Sequence, residues 1–492
     1  MPTAVTNPQT AVVSRTSACT ESGKDIPSGY SSWVCRNSAP PPILIPANQV
    51  ASLHTLLSKL LSPETTFDER IVQRTAAIGV VGLGYAGLPL AMAFAETGFD
   101  VTGIDLNDQR VRAVQKRESY LVDVPSERYE SIDGTLTATT DYAAVTDLDA
   151  VTICVPTPLS KTRTPDLNFI VSAAESVGSN IKPGMLIVLQ STTHPGTTEE
   201  VVLPILEKRS GGKVGKDFFL GYAPERVDPG NATFTIKNTP KLVAGVTEEC
   251  LRRTALLYAQ IVDTVQPVSS PMVAETAKLH ENTFRAVNIA LANELALMCD
   301  RMGISPWEVI EAASSKPFGF LPHYPGPGLG GDCIPVVPHF LAWRLREYGY
   351  SARLIEAAHE INAAMPLFVV QKISDALNDS GRPIKDSRLL LLGMAYKADV
   401  HDTRESPSLE IMRQLIQRGG DVRYCDPWVL EVDLDGGTHR SVEWSLDEVA
   451  AADCVVVLTP HTVFSERPLW DHARLIVDTR HAVPDGPTVH QI

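Results

Sequence analysis

The chain has 492 residues, a formal charge of −15, 44% hydrophobic and 21% charged residues. That length exceeds one ordinary core and implies two or three domains. An acidic exterior argues against a nucleic-acid or anionic-membrane surface, since phosphates would be repelled over most of it. The 8 cysteines form no CxxC pair and show no regular spacing, which fits free thiols in a reducing compartment. The start of the chain shows no apolar secretory core, and no run approaches the roughly 18 apolar residues that span a bilayer. The expectation is a cytoplasmic protein with no membrane partner.

Residues 1–45 are rich in Ser, Thr, Pro and Ala. They read as a disordered tail, unable to bury enough apolar surface to offset ordering entropy. In 46–75, ASLHTLLSKLL sets Leu53, Leu56, Leu57, Leu60 and Leu61 at helical spacing, predicting one amphipathic helix and a linker. From residue 76 the pattern is strand (AAIGVV), glycine turn (GLGYAG), helix (PLAMAFAETG) and strand (DVTGID). Apolar runs at Ala150–Val155 and Met185–Leu189 predict further strands, and the alternation implies a parallel sheet covered on both faces. Residues 271–302 form one long helical run with Gly303 near its end. Near 386 the α/β pattern resumes in SRLLLLGMAY, SPSLEIMRQLIQRGG, DVRYCDP, ADCVVVLTP and RLIVDTR. The fold class is α/β, with two Rossmann-like parallel-sheet domains joined by a long central helix.

Gly82, Gly84 and Gly87 have the G-x-G-x-x-G spacing between a predicted strand and helix. The first allows the tight turn, the second lets backbone approach a pyrophosphate, and the third lets helix and strand pack closely. Asp105 ends the next strand, where it would accept ribose hydroxyls and repel a 2′-phosphate, favouring NAD. Arg110 complicates that preference without reversing it. The bland alternative is a mere tight turn.

Lys278 and Asn282 are four residues apart on the long helix and share a face. A cation and an amide so placed could stabilise a developing oxyanion, although an exposed lysine beside Glu281 is the commoner outcome. Cys333 lies in GPGLGGDCIPVVPHF. It is either a small buried apolar residue or a nucleophile presented against something bound. His323, Asp332, Cys333 and His339 match no usual zinc spacing, so no metal is expected.

Over about residues 76–482 the chain resembles the nucleotide-sugar 6-dehydrogenases. The motifs are GLGYAGLPLA, VPTP, QSTTHPGTTEE, YAPERVDPGN, AETAKLHENTFRAVNIALANE, KPFGFLPHYPGPGLGGDCIPVVPHFL, GMAYKADVHDTRESP and CDP. Two segments resemble the UDP-N-acetylglucosamine 6-dehydrogenase branch most closely. The resemblance implies an NAD-binding domain (76–268), a central helical domain with the cysteine loop (269–368) and a UDP-sugar-binding domain (369–492), assembled as a homodimer or larger homo-oligomer. It implies oxidation of a UDP-sugar at C6 to the uronic acid through two hydride transfers, with a thiohemiacetal and then a thioester on Cys333. Lys278 would stabilise alkoxide and oxyanion, with Asn282 beside it. Glu225 would act as general base in hydrolysis, and Thr192 would help hold the water. Tyr85, Ala86, Thr157 and Arg404 would join the glycines, Asp105 and Arg110 around the cofactor, while Lys278, Tyr324, Gly330 and Lys397 would contact substrate. The glycines near Cys333 would let the chain wrap on the sugar.

Three positions depart from the family pattern. Val337 stands where an aspartate is general, Asp332 precedes the cysteine in place of His or Ser, and Pro229 replaces a second glutamate of the UDP-glucose branch. A dehydrogenase slow in thioester hydrolysis, and a non-catalytic protein that binds NAD and UDP-sugar, therefore stay open.

Overall fold

The computed structural model describes residues 66–492 except 122–123, 133, 161, 229–230, 232, 332 and 466–469. The expected tail, the leucine-rich helix, Pro229 and Asp332 lie outside the described residues.

The first sheet comprises β1 (Ala77–Val81), β2 (Asp100–Ile104), β3 (Thr135–Thr139), β4 (Ala150–Ile153), β5 (Leu186–Leu189), β6 (Phe219–Tyr222), β7 (Lys241–Gly245) and β8 (Val265–Pro267). Their order is β3-β2-β1-β4-β5-β6-β7-β8. The strands β4, β5 and β6 are buried at every residue, as apolar runs in a doubly covered parallel sheet require. Register aligns Val81 with Ile104 and Ile153, Ile153 with Leu189, and Leu189 with Tyr222. The segments after these strands therefore emerge along one edge, where ligands of such sheets bind. Strands β4 and β5 are shorter than expected because Cys154, Val155 and Met185 already belong to the turns. The sheet also departs from purely parallel. Strand β7 runs antiparallel to β6, so its first residue, Lys241, returns to the edge where β6 ends.

Helices α1 (Phe67–Val72), α2 (Gly87–Glu96), α3 (Asp108–Gln115), α4 (Asn168–Gly178), α5 (Leu203–Ser210) and α6 (Glu248–Tyr258) surround this sheet. The linker reading of 46–75 needs correction at its end. Thr66 and Glu69 form a reciprocal capping box, and Phe67 and Ile71 are buried, so α1 is a short helix anchored to the first core.

The middle consists of α7 (Pro271–Met302), α8 (Pro306–Ser314), α9 (Val337–Arg346) and α10 (Arg353–Asp379). Ser270 caps the start of α7, and Gly303, at φ 67°, closes its end. A buried Asn293–Asn362 hydrogen bond of 2.8 Å joins α7 to α10, and the Asn293 side-chain Oδ1 accepts the Gly326 amide at 2.9 Å.

The second sheet follows. It is built from β9 (Arg388–Leu392), β10 (Asp421–Cys425), β13 (Cys454–Val457), β14 (Ile476–Asp478) and β15 (Val489–Gln491), with a hairpin of β11 (Glu431–Leu434) and β12 (Gly437–Arg440) beside it. Helices α11 (Pro407–Gln417), α12 (Leu446–Ala451) and α13 (Thr462–Ser465) complete the domain. The sheet order is β10-β9-β13-β14-β15, all parallel. Asp426, buried after β10, accepts the amides of Met394, Ala395, Trp428 and Val429 and the ring of His461. That network fixes the loop carrying Lys397. No helix among the described residues is long and apolar enough to cross a membrane.

Candidate active site

The turn after β1 is built for close approach. Gly82 has φ 89°, and a Cβ there would lie 2.7 Å from the Cys154 carbonyl oxygen. A Cβ on Gly87 would lie 1.7 Å from the Gly82 carbonyl oxygen, while one on Gly84 would meet nothing nearer than Arg110 Nη1 at 4.0 Å. Gly84 thus faces an open cleft, as a pyrophosphate cradle requires. Asp105 has a role in the turn that spacing alone did not show. Its Oδ2 accepts the Leu83 amide at 2.7 Å and Arg110 Nη1 at 3.3 Å, and Oδ1 accepts the Asn107 amide at 2.8 Å. The carboxylate shapes the glycine turn and also holds Arg110 against it. Thr157 Oγ1 donates to the Thr192 carbonyl at 2.6 Å. Arg404 lies 4.4 Å from the centroid of the half-exposed Tyr85 ring.

Gly82, Gly84, Tyr85, Ala86, Asp105, Arg110, Thr157 and Arg404 line a cleft of about 2670 Å³ together with Thr192, Glu225, Lys278, Asn282, Tyr324, Gly330, Cys333 and Lys397. Of the expected site residues only Gly87 is absent from its wall; it packs on Gly82 instead.

Lys278 is only 8% exposed, so the solvated-lysine alternative fails. Among the described residues no side chain hydrogen-bonds it, and Asn282 Nδ2 is buried without a partner. Burial pushes the Lys278 ammonium below its ordinary range, and Cys333, Glu281 and Glu225 partly restore it. A buried amide donor without an acceptor is costly until a ligand satisfies it, and Lys278, about one turn away on the same helix face, sets a cation beside it. Glu225 is the opposite case. Its Oε1 accepts the amides of Arg226 (2.8 Å) and Val227 (2.9 Å), and its Oε2 accepts Gln190 Nε2 (3.0 Å) and Lys241 Nζ (3.2 Å). Burial alone would raise this carboxyl, but Lys241 and the amides outweigh it and hold it below the usual range.

Cys333 is exposed, unlike Cys154, Cys250, Cys299, Cys425 and Cys454, which are buried. It sits just ahead of α9, and its carbonyl accepts the Val337 amide at 2.9 Å. Two of the glycines before it also pack closely on the second α/β domain. A Cβ on Gly330 would lie 2.4 Å from Tyr396 Cβ, and one on Gly331 3.0 Å from the Tyr396 ring. The Gly331 amide donates to the Arg404 carbonyl at 2.9 Å. Close packing of the thiol loop on the second α/β domain is what demands glycine. Val337 is buried with Leu279 and Phe340, so an apolar contact occupies the place of the family's aspartate.

Lys397 Nζ pairs with Asp228 at 2.9 Å, so a diphosphate would have to compete with that carboxylate. Tyr324 stacks on Trp307 at 5.4 Å. His339 stacks edge-on with His359 at 4.8 Å, while His323 meets Phe284. Sequence reasoning missed Lys241, Gln190 and Trp307. Lys241 carries no motif, and only the reversed β7 brings it to Glu225.

Comparison with known proteins agrees with this geometry. The sequence matches the NAD-binding domain (residues 76–262), the central domain (272–364) and the UDP-binding domain (390–485) of one family. The chain belongs to the UDP-glucose/GDP-mannose dehydrogenase family. It is an NAD-dependent nucleotide-sugar dehydrogenase, and the glycine cradle fits that cofactor. A UDP-N-acetyl-D-glucosamine 6-dehydrogenase of Pseudomonas aeruginosa is 36% identical over 357 residues, covering 72% of this chain and 84% of the relative. A UDP-N-acetyl-D-mannosamine dehydrogenase of Pyrococcus horikoshii is 34% identical over 420 residues, covering 83% and 96%. The solved structure of UDP-D-ManNAc dehydrogenase from P. horikoshii superposes with a TM-score of 0.78 at 32% identity, covering 85% of this chain and 99% of that one. A UDP-glucose dehydrogenase from Pyrobaculum islandicum gives 0.73 at 27% identity, covering 83% and 94%.

Proposed function

We propose that the protein oxidises C6 of a UDP-N-acetylhexosamine or of UDP-glucose to the uronic acid, with Cys333 as the covalent nucleophile. The observation that carries this reading is the buried, unpartnered amide of Asn282 beside the Lys278 ammonium, lining the same cleft as the exposed Cys333. NAD, when bound on the glycine cradle with Tyr85, Ala86, Asp105, Arg110, Thr157 and Arg404, supplies the hydride acceptor. Lys278 and Asn282 stabilise the alkoxide at C6 and later the oxyanions on the Cys333-bound carbon. Thr192 and Glu225 hold and deprotonate the water that releases the acid. Lys397, Tyr324 and Gly330 seat the nucleotide sugar where the thiol loop meets the C-terminal domain. The three functional segments are 76–268, 269–368 and 369–492.

The test is NADH formed per nucleotide sugar consumed at completion, across a panel of UDP-sugars. Two NADH and a free acid are expected, and Cys333→Ser should abolish acid. Undiminished acid from that variant overturns the covalent mechanism. The apolar packing of Val337 favours a second reading in which hydrolysis is slow. One NADH per sugar, or a stable adduct on Cys333 by mass spectrometry, would mark it.

We further infer a homodimer. Phe284, Leu291 and Met298 are exposed at 44%, 60% and 44%. Their spacing of seven lays them along one face of α7, and a second copy of the same stripe is the partner that would cover it.

A further inference from the structure

A carboxylate offers about four lone-pair positions, and all four on Glu225 are filled. If Glu225 takes a proton from water, one contact must open. The two amides on Oε1 belong to the next two residues of the same chain and cannot withdraw. Gln190 is itself held, because Tyr258 Oη donates to its Oε1 at 2.8 Å. Lys241 makes the longest of the four contacts, at 3.2 Å, and has a flexible four-carbon stem. Its ammonium also lies 5.3 Å from the centroid of the Tyr258 ring, a second station for a cation. Lys241 is 4% exposed and does not line the cleft, so it acts through Glu225.

We propose that Lys241 is the positioning residue for acid release: it aims Glu225 as a carboxylate through both oxidations and withdraws toward Tyr258 when Oε2 accepts the proton of the hydrolytic water. The inference deepens the general-base role of Glu225 and rests on it. In that step the water oxygen bonds to the thioester carbon and its proton passes to Oε2. The carbon–sulfur bond then breaks, leaving the electron pair on Cys333 Sγ. The other ionisable groups around Glu225 are Lys278 and Glu281 on α7, Arg226 beside it, Cys154 after β4 and Tyr258 on α6. Glu281 is engaged by Arg226 at 2.7 Å. Lys241 is the ammonium in direct contact with the base.

The test is the pH profile of acid formation by the full-length enzyme with NAD and the responding UDP-sugar. Lys241→Met should move the acidic limb upward by about one pH unit or more, the scale of losing an adjacent opposite charge. The pre-steady-state burst of the first NADH should be unaltered. Lys241→Arg should restore the wild-type limb, and Lys241→Met placed on Glu225→Gln should add nothing. A Lys241→Met enzyme slowed equally at every pH, or additive with Glu225→Gln, overturns the proposal. If Lys241→Met does not fold by thermal melting, Lys241→Gln replaces it with the same expectations. Wild-type stoichiometry separates the two layers. One NADH per sugar overturns the parent reading of acid release, whereas two NADH with an unmoved limb overturns the part given to Lys241 alone.

Discussion

Thr198 donates both its amide, at 2.9 Å, and its hydroxyl, at 2.6 Å, to the same oxygen of Glu275. The other oxygen accepts the Gly196 amide at 2.6 Å. Glu275 lies one turn before Lys278 on α7 and is fully buried, so this contact ties the polar face of the helix to the turn that follows Thr192. Burial pushes the Glu275 carboxyl up to about 7 in spite of its three donors.

The raised value sets a pH dependence of stability. Between about pH 4.5 and 7 the folded protein binds a proton that the unfolded chain has released. The stabilisation is complete below the unfolded value and is lost as pH rises through 7, to a total of up to about 3 kcal/mol. The thermal midpoint of wild type should therefore fall relative to that of Glu275→Gln from pH 5 to pH 8. A constant gap would mean that the group is already ionised in the fold at pH 5.

Lys278→Ala should lower kcat by about 10²–10³-fold, the cost of losing one oxyanion donor, with a smaller effect on KM. Because burial lowers this ammonium, the alkaline limb of the wild-type profile should fall below the ordinary lysine value of 10.5. A limb at or above that value would disconnect the chemistry from this residue.

Gly330→Ala should destabilise the thiol loop. Its Cβ would lie 2.4 Å from Tyr396 Cβ, and overpacking of this kind typically costs about 1–3 kcal/mol. Faster alkylation of Cys333 by iodoacetamide and a lower thermal midpoint should appear together. An unchanged alkylation rate would show that the loop does not lean on Tyr396.

Leu291→Glu places a charge in the middle of the α7 stripe and should yield monomers by light scattering at micromolar concentration. An oligomer as stable as wild type would move the interface elsewhere.

The α/β alternation, the long helix and the glycine turn were legible because each is a local pattern: apolar runs of strand length, a capped helix, glycines at fixed spacing. The site residues were legible as motifs, yet their states were not. Burial of Lys278, the orphaned amide of Asn282 and the saturation of Glu225 arise from segments distant in sequence. Lys241 was hidden for the same reason, since antiparallel entry of β7 is a topological fact with no local signature. The capping box at Thr66–Glu69 was readable but passed over, as one turn of helix in an assumed linker.

The thiol loop is gripped from two sides. Asn293 on α7 holds the Gly326 amide, while the Arg404 carbonyl and the Tyr396 ring hold Gly331 and Gly330. Half of the scaffold of the proposed nucleophile therefore belongs to the part of the chain that matches the family's UDP-binding domain. Part of the affinity for the UDP group, remote from the carbon being oxidised, can then be spent on keeping the sulfur in place. The free sugar, or its 1-phosphate, should accordingly suffer in turnover and not merely in affinity. Under the proposed mechanism the nucleotide would act as a lever on the chemistry as well as a handle for binding.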